Sequence, residues 1–241
     1  MSVELESAKR LTTLKNKIDV VTKTPSNTLS ESVDNVIAGY GQGGSGGGDS
    51  GVDLWAYIEN APIFSADIQE ITEDITLHLE RATGLGNLFD LKVLNMRKIT
   101  VYLSDKCTNL YRAFGRAGGA IQIIEIIGDT SSVTRYGYTF AARPNLEQII
   151  GVLDFTSATE TGGTFVGCSS LREVRFNEST LSKSTSLESS PLLSDESIQS
   201  IIDGLADLTG QTAQTLTLHE DVVLTEEQKA TITLKNWILV Q

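Results

Sequence analysis

Residues 165–176, FVGCSSLREVRF, and residues 140–150, FAARPNLEQII, share the pattern F-x-x-[CR]-x-[NS]-L-x-x-[VI]. The phenylalanine that opens this pattern recurs along the chain with gaps of 25, 25, 26 and 25 residues: Phe64, Phe89, Phe114, Phe140 and Phe165. Similarity at a fixed period is typical of a solenoid, in which each repeat stacks on the next. The spacing therefore predicts stacked repeats with these phenylalanines buried one repeat apart.

A short run of alternating apolar residues follows each of these phenylalanines. The apolar positions are Ile75, Leu77 and Leu79; Ile99, Val101 and Leu103; Ile124 and Ile126; Ile149; and Val174 and Phe176. Alternation at every second residue predicts one strand per repeat. Because the intervening residues must carry the chain back, successive strands are expected to be parallel.

The repeat pattern resembles the BspA-like leucine-rich repeats of bacterial surface and phage proteins. The resemblance is close in the units that begin at Phe140 and Phe165, and loose in the earlier units, where Met96 and Ile121 stand one place from the leucine position. The resemblance implies an α/β fold, namely a leucine-rich-repeat solenoid with a parallel one-strand-per-repeat sheet, an αβ C-terminal cap and short N-terminal helices. We assign residues 53–181 to the repeats and residues 182–241 to the cap.

Residues 1–40 have a different pattern and are assigned to an N-terminal helical segment. Leucine and β-branched residues at heptad spacing predict a helix with an apolar stripe: Leu11, Leu14, Ile18 and Val21. Pro25 ends this helix, and a capping box from Thr28 to Glu31 begins a second one. Such helices either dock on the repeats or pair with copies of themselves. A linker that separates them from the repeats favours self-association, with a trimer as the expected form.

Residues 41–52 are that linker, because their glycine-rich composition is typical of a flexible coil. Gly41, Gly43 and Gly46 formally match G-x-G-x-x-G. A dinucleotide site needs this motif between a strand and a helix, whereas here it follows a predicted helix and leads into more glycine. We therefore expect no cofactor at the motif.

The C-terminal residues leave the repeat period and predict alternating helices and strands. Ser194 is the expected N-cap of a helix that buries Ile198, Ile201, Ile202, Leu205 and Leu208 and ends at Gly210. A strand is expected at residues 215–219, and a capping box from Thr225 to Gln228 begins a further helix before a closing strand. This region and the N-terminal segment resemble the cap and the start of tail-associated proteins from phages and prophages of Gram-positive gut bacteria.

Composition excludes several classes of partner. The net charge of −12 disfavours nucleic acid and anionic lipid, both of which attract clustered Lys and Arg. The apolar runs are too short for membrane insertion, and residues 1–18 contain no apolar signal core, so we expect no export by a standard secretion signal. Cys107 and Cys168 are expected to be buried free thiols.

The chain offers little that resembles catalytic chemistry. His78 and His219 lie on alternating strands, and metal-ligand spacings such as C-x-x-C or H-x-x-x-H are lacking. We predict that the protein is not an enzyme and uses neither a metal nor a cofactor.

The best binding candidate is the strand face, because solenoids present extended sheet faces to their partners. Its expected outward residues are Thr76, His78, Thr100, Tyr102, Glu125, Ile150 and Arg175. We predict a polar, mixed ligand-binding surface centred on Tyr102, Glu125 and Arg175, with Thr100 and His78 beside them.

Three functions fit this organisation. The first is a phage virion protein, tail or baseplate associated and made in the host cytoplasm, that recognises a protein or glycan on a host cell surface. The second is a bacterial cell-surface adhesin of BspA-like type, against which the lack of a signal sequence counts. The third is a protein–protein interaction scaffold, which would not need a long glycine linker beside a self-pairing helix.

Overall fold

Parallel strands one repeat apart form a six-stranded sheet whose strand order follows the chain. The computed structural model describes residues 52–55, 72–80, 82–89, 93–115 and 119–241. The strands of this sheet are β1 (Val52–Trp55), β2 (Ile75–Leu79), β3 (Lys98–Leu103), β4 (Ile123–Ile127), β5 (Gln148–Leu153) and β6 (Glu173–Phe176). The predicted N-terminal helices, the linker up to residue 51 and Phe64 lie outside the described residues. Val52, at the predicted end of the linker, is the first residue of β1, a strand that the sequence pattern did not predict.

The strands predicted from alternating apolar residues, β2 to β6, are confirmed, and they pair in a parallel register. Ile99 of β3 pairs with Ile75 of β2 and with Ile124 of β4, which in turn pairs with Ile149. The apolar side chains of each alternating run are buried, while the residues between them are turned outward. Burial of one side of each strand fixes the register, because a one-residue slip would expose the whole apolar set.

One irregularity interrupts the register between β5 and β6. Gln148 pairs with Glu173, whereas Val152 pairs with Arg175, so β5 contains two more residues than β6 between these pairs. Gly151 lies in the bulge with φ of 113°, and a Cβ there would lie 2.4 Å from the carbonyl oxygen of Ile126. A bulge bends a strand and redirects its side chains, which the sequence period alone did not predict.

The repeating phenylalanines are buried and stacked, as predicted. Phe89, Phe114, Phe140 and Phe165 are fully buried. Phe114 and Phe140 have ring centres 5.9 Å apart and nearly parallel planes, and the next pair, Phe140 and Phe165, is 5.7 Å apart. Stacked aromatic pairs at these distances add favourable contact to the apolar area that they bury.

A second line of hydrogen bonds joins the turns that precede these phenylalanines. Backbone N–H groups donate to carbonyls one repeat later, for example Leu110 to Arg135 at 2.9 Å and Tyr136 to Glu160 at 2.7 Å. Threonine hydroxyl groups donate in the reverse direction, to carbonyls one repeat earlier: Thr108 to Thr83, Thr134 to Thr108 and Thr159 to Thr134. The repeats are therefore tied together at the turns as well as along the sheet.

The turns repeat a left-handed backbone position two residues before each buried phenylalanine. The residues at this position are Asn87, Arg112, Tyr138 and Gly163, with φ of 61°, 55°, 56° and 69°. For residues other than glycine, this conformation costs about 1–2 kcal/mol of free energy. Asparagine and glycine are the usual residues there, so an arginine and a tyrosine are unusual occupants.

The C-terminal residues form a separate three-stranded parallel sheet with two helices. Its strands are β7 (Thr185–Leu187), β8 (Gln214–Leu218) and β9 (Trp237–Val240), and the helices are α1 (Asp195–Gly204) and α2 (Glu226–Leu234). Ser194 caps α1, and Thr225 and Gln228 form the capping box of α2, as predicted. The predicted apolar side of α1 is buried.

The predicted end of α1 at Gly210 is wrong. The helix ends at Gly204, because Leu205 takes an extended backbone conformation and forms a parallel bridge with Leu181. The N–H of Ala206 then donates to the Leu181 carbonyl at 2.8 Å. Pairing with an earlier segment therefore ends the helix before its apolar pattern runs out, and the sequence did not predict β7 either.

Cys168 and the residue one repeat earlier, Arg143, occupy equivalent buried positions. Both cysteines are free and buried, as predicted, and burial raises the pKa of Cys168 to about 12. Arg143 is fully buried, and its Nε donates to the carbonyl of Phe114 at 2.5 Å, as the Cys168 thiol does to Phe140 at 3.2 Å. Burial lowers the pKa of Arg143 to about 10, so the guanidinium stays charged at neutral pH.

Candidate binding surface on the outer face of the sheet

The outer face of the six-stranded sheet consists of the side chains that alternate with the buried ones. Register pairing places two rows of them across the strands: Thr76, Thr100, Glu125 and Ile150 in the first row, and His78, Tyr102 and Ile127 in the second. Four of the five predicted binding residues, His78, Thr100, Tyr102 and Glu125, thus lie on the adjacent strands β2, β3 and β4.

His78 and Tyr102 form a stacked pair on this face. Their ring centres are 4.7 Å apart and the ring planes differ by 4°. Nδ1 of His78 also lies 3.2 Å from a carboxylate oxygen of Glu80, which anchors the imidazole from the turn after β2. The Tyr102 side chain is half-buried, so part of its ring stays open to a partner.

Glu125 is the centre of a small polar network beside this pair. Its Oε2 accepts from Nζ of Lys98 at 2.7 Å and from the Thr100 hydroxyl at 2.8 Å. The hydrogen bond from Lys98 lowers the pKa of Glu125, with a smaller contribution in the same direction from Thr100. Glu125 is therefore ionised at neutral pH and held in place.

Thr100 is poorly placed to contact a partner directly. It is 8% exposed, and its hydroxyl already donates to Glu125. The sequence predicted an outward residue here, which is correct for its direction on the strand. Neighbouring side chains on the sheet nevertheless cover it, so Thr100 acts on the surface only by orienting Glu125.

The middle of the outer face is apolar, which differs from the polar and mixed surface that the sequence predicted. Ile127 of β4 and Ile150 and Val152 of β5 are 39%, 38% and 53% exposed. We call these three residues the apolar patch. Of these three residues, Ile150 alone is predicted from the sequence to point outward. The run IIEII at residues 123–127 carries isoleucine on both faces, which was the available signal for Ile127. Val152 stands two residues after Ile150, so strand alternation was the available signal for it, and the bulge at Gly151 decides only that Arg175 is its partner.

Arg175 lies apart from the other predicted residues. It is exposed on β6 and pairs with Val152 of β5. Two strand spacings separate β4 from β6, which corresponds to about 10 Å between Glu125 and Arg175. The structure therefore does not gather Tyr102, Glu125 and Arg175 into one cluster. Instead, Tyr102 and Glu125 lie on one side of the apolar patch and Arg175 on the other.

The described residues of the outer face form an extended surface across neighbouring strands. Among them, there is no group of three His, Cys, Asp or Glu side chains placed to hold a metal ion. Neither helix in the described part of the chain is long and apolar enough to cross a bilayer. Comparisons with protein-family models, with curated proteins and with solved structures find no match to this chain.

Proposed function

We propose that this chain is a non-enzymatic binding and structural protein built as a solenoid of leucine-rich-repeat type. Three features support the proposal: parallel strands in chain order, phenylalanines stacked one repeat apart, and turns joined by a second line of hydrogen bonds. In such a fold each repeat contacts mainly its neighbours, and the strands together present a long face to solvent.

Recognition runs through the outer face of the sheet, and the apolar patch is the observation that carries this proposal. Ile127, Ile150 and Val152 are exposed on two adjacent strands. Polar side chains border them, with Glu125 on one side and Arg175 on the other. Protein surfaces that bind partners combine an apolar centre with a polar rim. The sheet holds these side chains in place before binding, which reduces the entropy lost on association.

The biological setting that we propose is a phage virion, with the protein in the tail or baseplate and the solenoid directed at a host surface. The resemblance of the repeats, the cap and the N-terminal segment to phage tail-associated proteins supports this setting. The alternative is a bacterial cell-surface adhesin or interaction scaffold of BspA-like type. Immunogold labelling separates them: gold on tails of released particles fits the first, and gold on intact cells without particles fits the second.

Binding of the labelled full chain to Gram-positive gut bacteria tests recognition. The triple variant Tyr102→Ala, Glu125→Ala, Arg175→Ala is expected to weaken binding about tenfold or more, because tyrosine and arginine are favoured anchors in interfaces. The control is Val223→Ser with Leu234→Ser, two exposed apolar residues outside the outer face. Equal binding by the triple variant and the wild type would show that these three residues do not anchor a partner.

Self-association through residues 1–40 is part of the same proposal. The heptad spacing in that segment and the glycine-rich linker after it support an oligomer that is independent of the repeats. Light scattering should give a multiple of the chain mass for residues 1–241 and a single chain mass for residues 52–241. Equal masses per chain for both would rule out this role.

A further inference from the structure

Two arginines and two tyrosines gather on the turns that precede the buried phenylalanines, and none of them belongs to the outer face of the sheet. We call them, with one glutamate, the arginine–tyrosine cluster: Tyr111, Arg112, Arg135, Tyr138 and Glu160. The backbone aligns them, since Asn109, Arg135 and Glu160 are joined by parallel bridges and the Arg112 N–H donates to the Gly137 carbonyl at 3.0 Å. The cluster therefore spans three successive repeats.

Guanidinium groups and aromatic rings are in direct contact in this cluster. The Cζ atoms of Arg112 and Arg135 lie 4.8 Å and 4.7 Å from the centre of the Tyr111 ring. Arg112 is also 5.6 Å from the centre of Tyr138, and the two tyrosine rings meet edge to face at 6.2 Å. Nε of Arg135 lies 2.8 Å from Oε2 of Glu160. Contacts of this kind hold the side chains in defined positions.

The fold does not require large side chains at these turns. Arg112 and Tyr138 occupy the left-handed turn position, with φ of 55° and 56°. In the next repeat, Gly163 takes the same conformation without strain and precedes an equally buried phenylalanine. Residues kept in a disfavoured backbone conformation are concentrated at functional sites. The chain thus keeps a disfavoured backbone conformation at two consecutive repeats, and an arginine and a tyrosine occupy these positions.

Glycines on either side leave space for these side chains. A Cβ added to Gly163 would lie 2.6 Å from a carbon of the Tyr138 ring, and one added to Gly137 would lie 2.6 Å from a carboxylate oxygen of Glu160. The same Cβ at Gly137 would lie 3.0 Å from the Tyr111 ring. Replacing either glycine would displace the cluster.

We propose that the arginine–tyrosine cluster binds a carbohydrate, with a pyranose ring against Tyr138 and its hydroxyl groups bonded to Arg135 and Glu160. Tyr138 is 40% exposed, and the side chains of Arg135 and Glu160 are 46% and 39% exposed. An exposed aromatic face packs against the C–H side of a sugar ring. The adjacent guanidinium donates and the carboxylate accepts, which suits neighbouring hydroxyl groups.

The chemistry favours a neutral sugar over an anion. A carboxylate or phosphate that approached Arg135 would meet the negative charge of Glu160 beside it. Hydroxyl groups can use both partners at once, because each hydroxyl both donates and accepts. This site is independent of the proposed recognition through the outer face, since the two surfaces share no residue.

Saturation-transfer NMR with the full chain tests the proposal, with cellotetraose and chitotetraose as probes. At least one of them should give a signal with the wild type, and Tyr138→Gly should weaken it about tenfold. Because glycine suits the left-handed turn, the melting temperature of this variant should stay within about 2 °C of the wild type. Arg135→Gln leaves that turn position unchanged and should weaken the signal as well.

Two controls keep the result specific. Asn87→Gly changes the same left-handed turn position outside the cluster and should leave the sugar signal intact. The triple variant of the outer face should also keep the full signal, so a failure of that recognition would not be mistaken for a failure here. The proposal is overturned if neither oligosaccharide gives a signal with the wild type. It is also overturned if Tyr138→Gly and Arg135→Gln bind like the wild type.

Discussion

The interior of the repeats and the outer face of their sheet belong to the same repeats, yet their side chains vary along the chain in opposite ways. Inside, the same side chain recurs at the same depth: Phe114, Phe140 and Phe165 are all fully buried and stack at 5.9 and 5.7 Å. Outside, register neighbours change from Thr100 to Glu125 to Ile150. Stacking demands equal shapes, whereas solvent tolerates any side chain, so the outer face, unlike the interior, is free to match a partner.

Truncation of a stacked phenylalanine in the interior should cause the largest loss of folding stability. Phe140→Ala removes the ring that contacts Phe114 and Phe165, and it should lower the free energy of unfolding by about 3–5 kcal/mol. Urea unfolding followed by circular dichroism measures the change. The matched control is Ile150→Ala on the outer face of the same repeat, which should cost less than about 1 kcal/mol. Similar costs for the two variants would contradict the difference between interior and exterior.

Arg143 gives a sharper test, because it is a charged residue in the interior. Its side chain is fully buried and its Nε donates to the Phe114 carbonyl. Arg143→Ala should therefore cost about 1.5–3 kcal/mol, since it leaves a buried carbonyl without its charged donor. Arg143→Cys, which copies the next repeat, should cost less because the thiol of Cys168 bonds the equivalent carbonyl. Unfolding curves that rank the two variants in the opposite order would show that the positions are not equivalent.

The hydrogen-bonded charges on the outer face should make the smallest contribution to folding stability. Lys98→Met should raise the pKa of Glu125, because the hydrogen bond from Lys98 is the main cause of its depression. A carboxylate with a lowered folded-state pKa stabilises the fold above its ordinary pKa, and this contribution disappears as pH falls through the folded value. The variant should therefore lose less stability on acidification. NMR titration of Glu125 measures the shift, and an unchanged pKa would show that Lys98 does not hold the carboxylate.

The regular parts of the fold could be predicted from the sequence because they follow local rules. The alternation of apolar residues predicts β2 to β6, and the 25-residue period predicts the buried phenylalanines. The capping residues Ser194 and Thr225 predict where α1 and α2 begin. Each of these signals lies within a few residues of the structure that it specifies. The end of α1 at Gly204 depends instead on pairing with Leu181, a contact distant in sequence.

The candidate surfaces were harder to predict, because they depend on departures from the repeat. Because of the bulge at Gly151, Val152 rather than Ile150 pairs with Arg175, and no apolar pattern marks a bulge. The burial of Thr100 follows from its neighbours across the sheet, which become known only with the register. The left-handed backbone at Tyr138 could have been suspected only by aligning it with Gly163. The local sequence pattern thus predicts which way a side chain on a strand points, but not how exposed it is to solvent.

Stability is expected to depend on the interior of the repeats, and recognition on the outer face of their sheet. Urea unfolding and binding to Gram-positive gut bacteria, measured together on Phe140→Leu and on the double variant Ile150→Ser, Val152→Ser, test this division. Phe140→Leu should lose about 1 kcal/mol or more of stability and keep its dissociation constant. The double variant should stay within about 1 kcal/mol of the wild type and bind about tenfold more weakly. Variants that change both properties in parallel, or a double variant that binds like the wild type, would show that the interior and the outer face do not divide these roles.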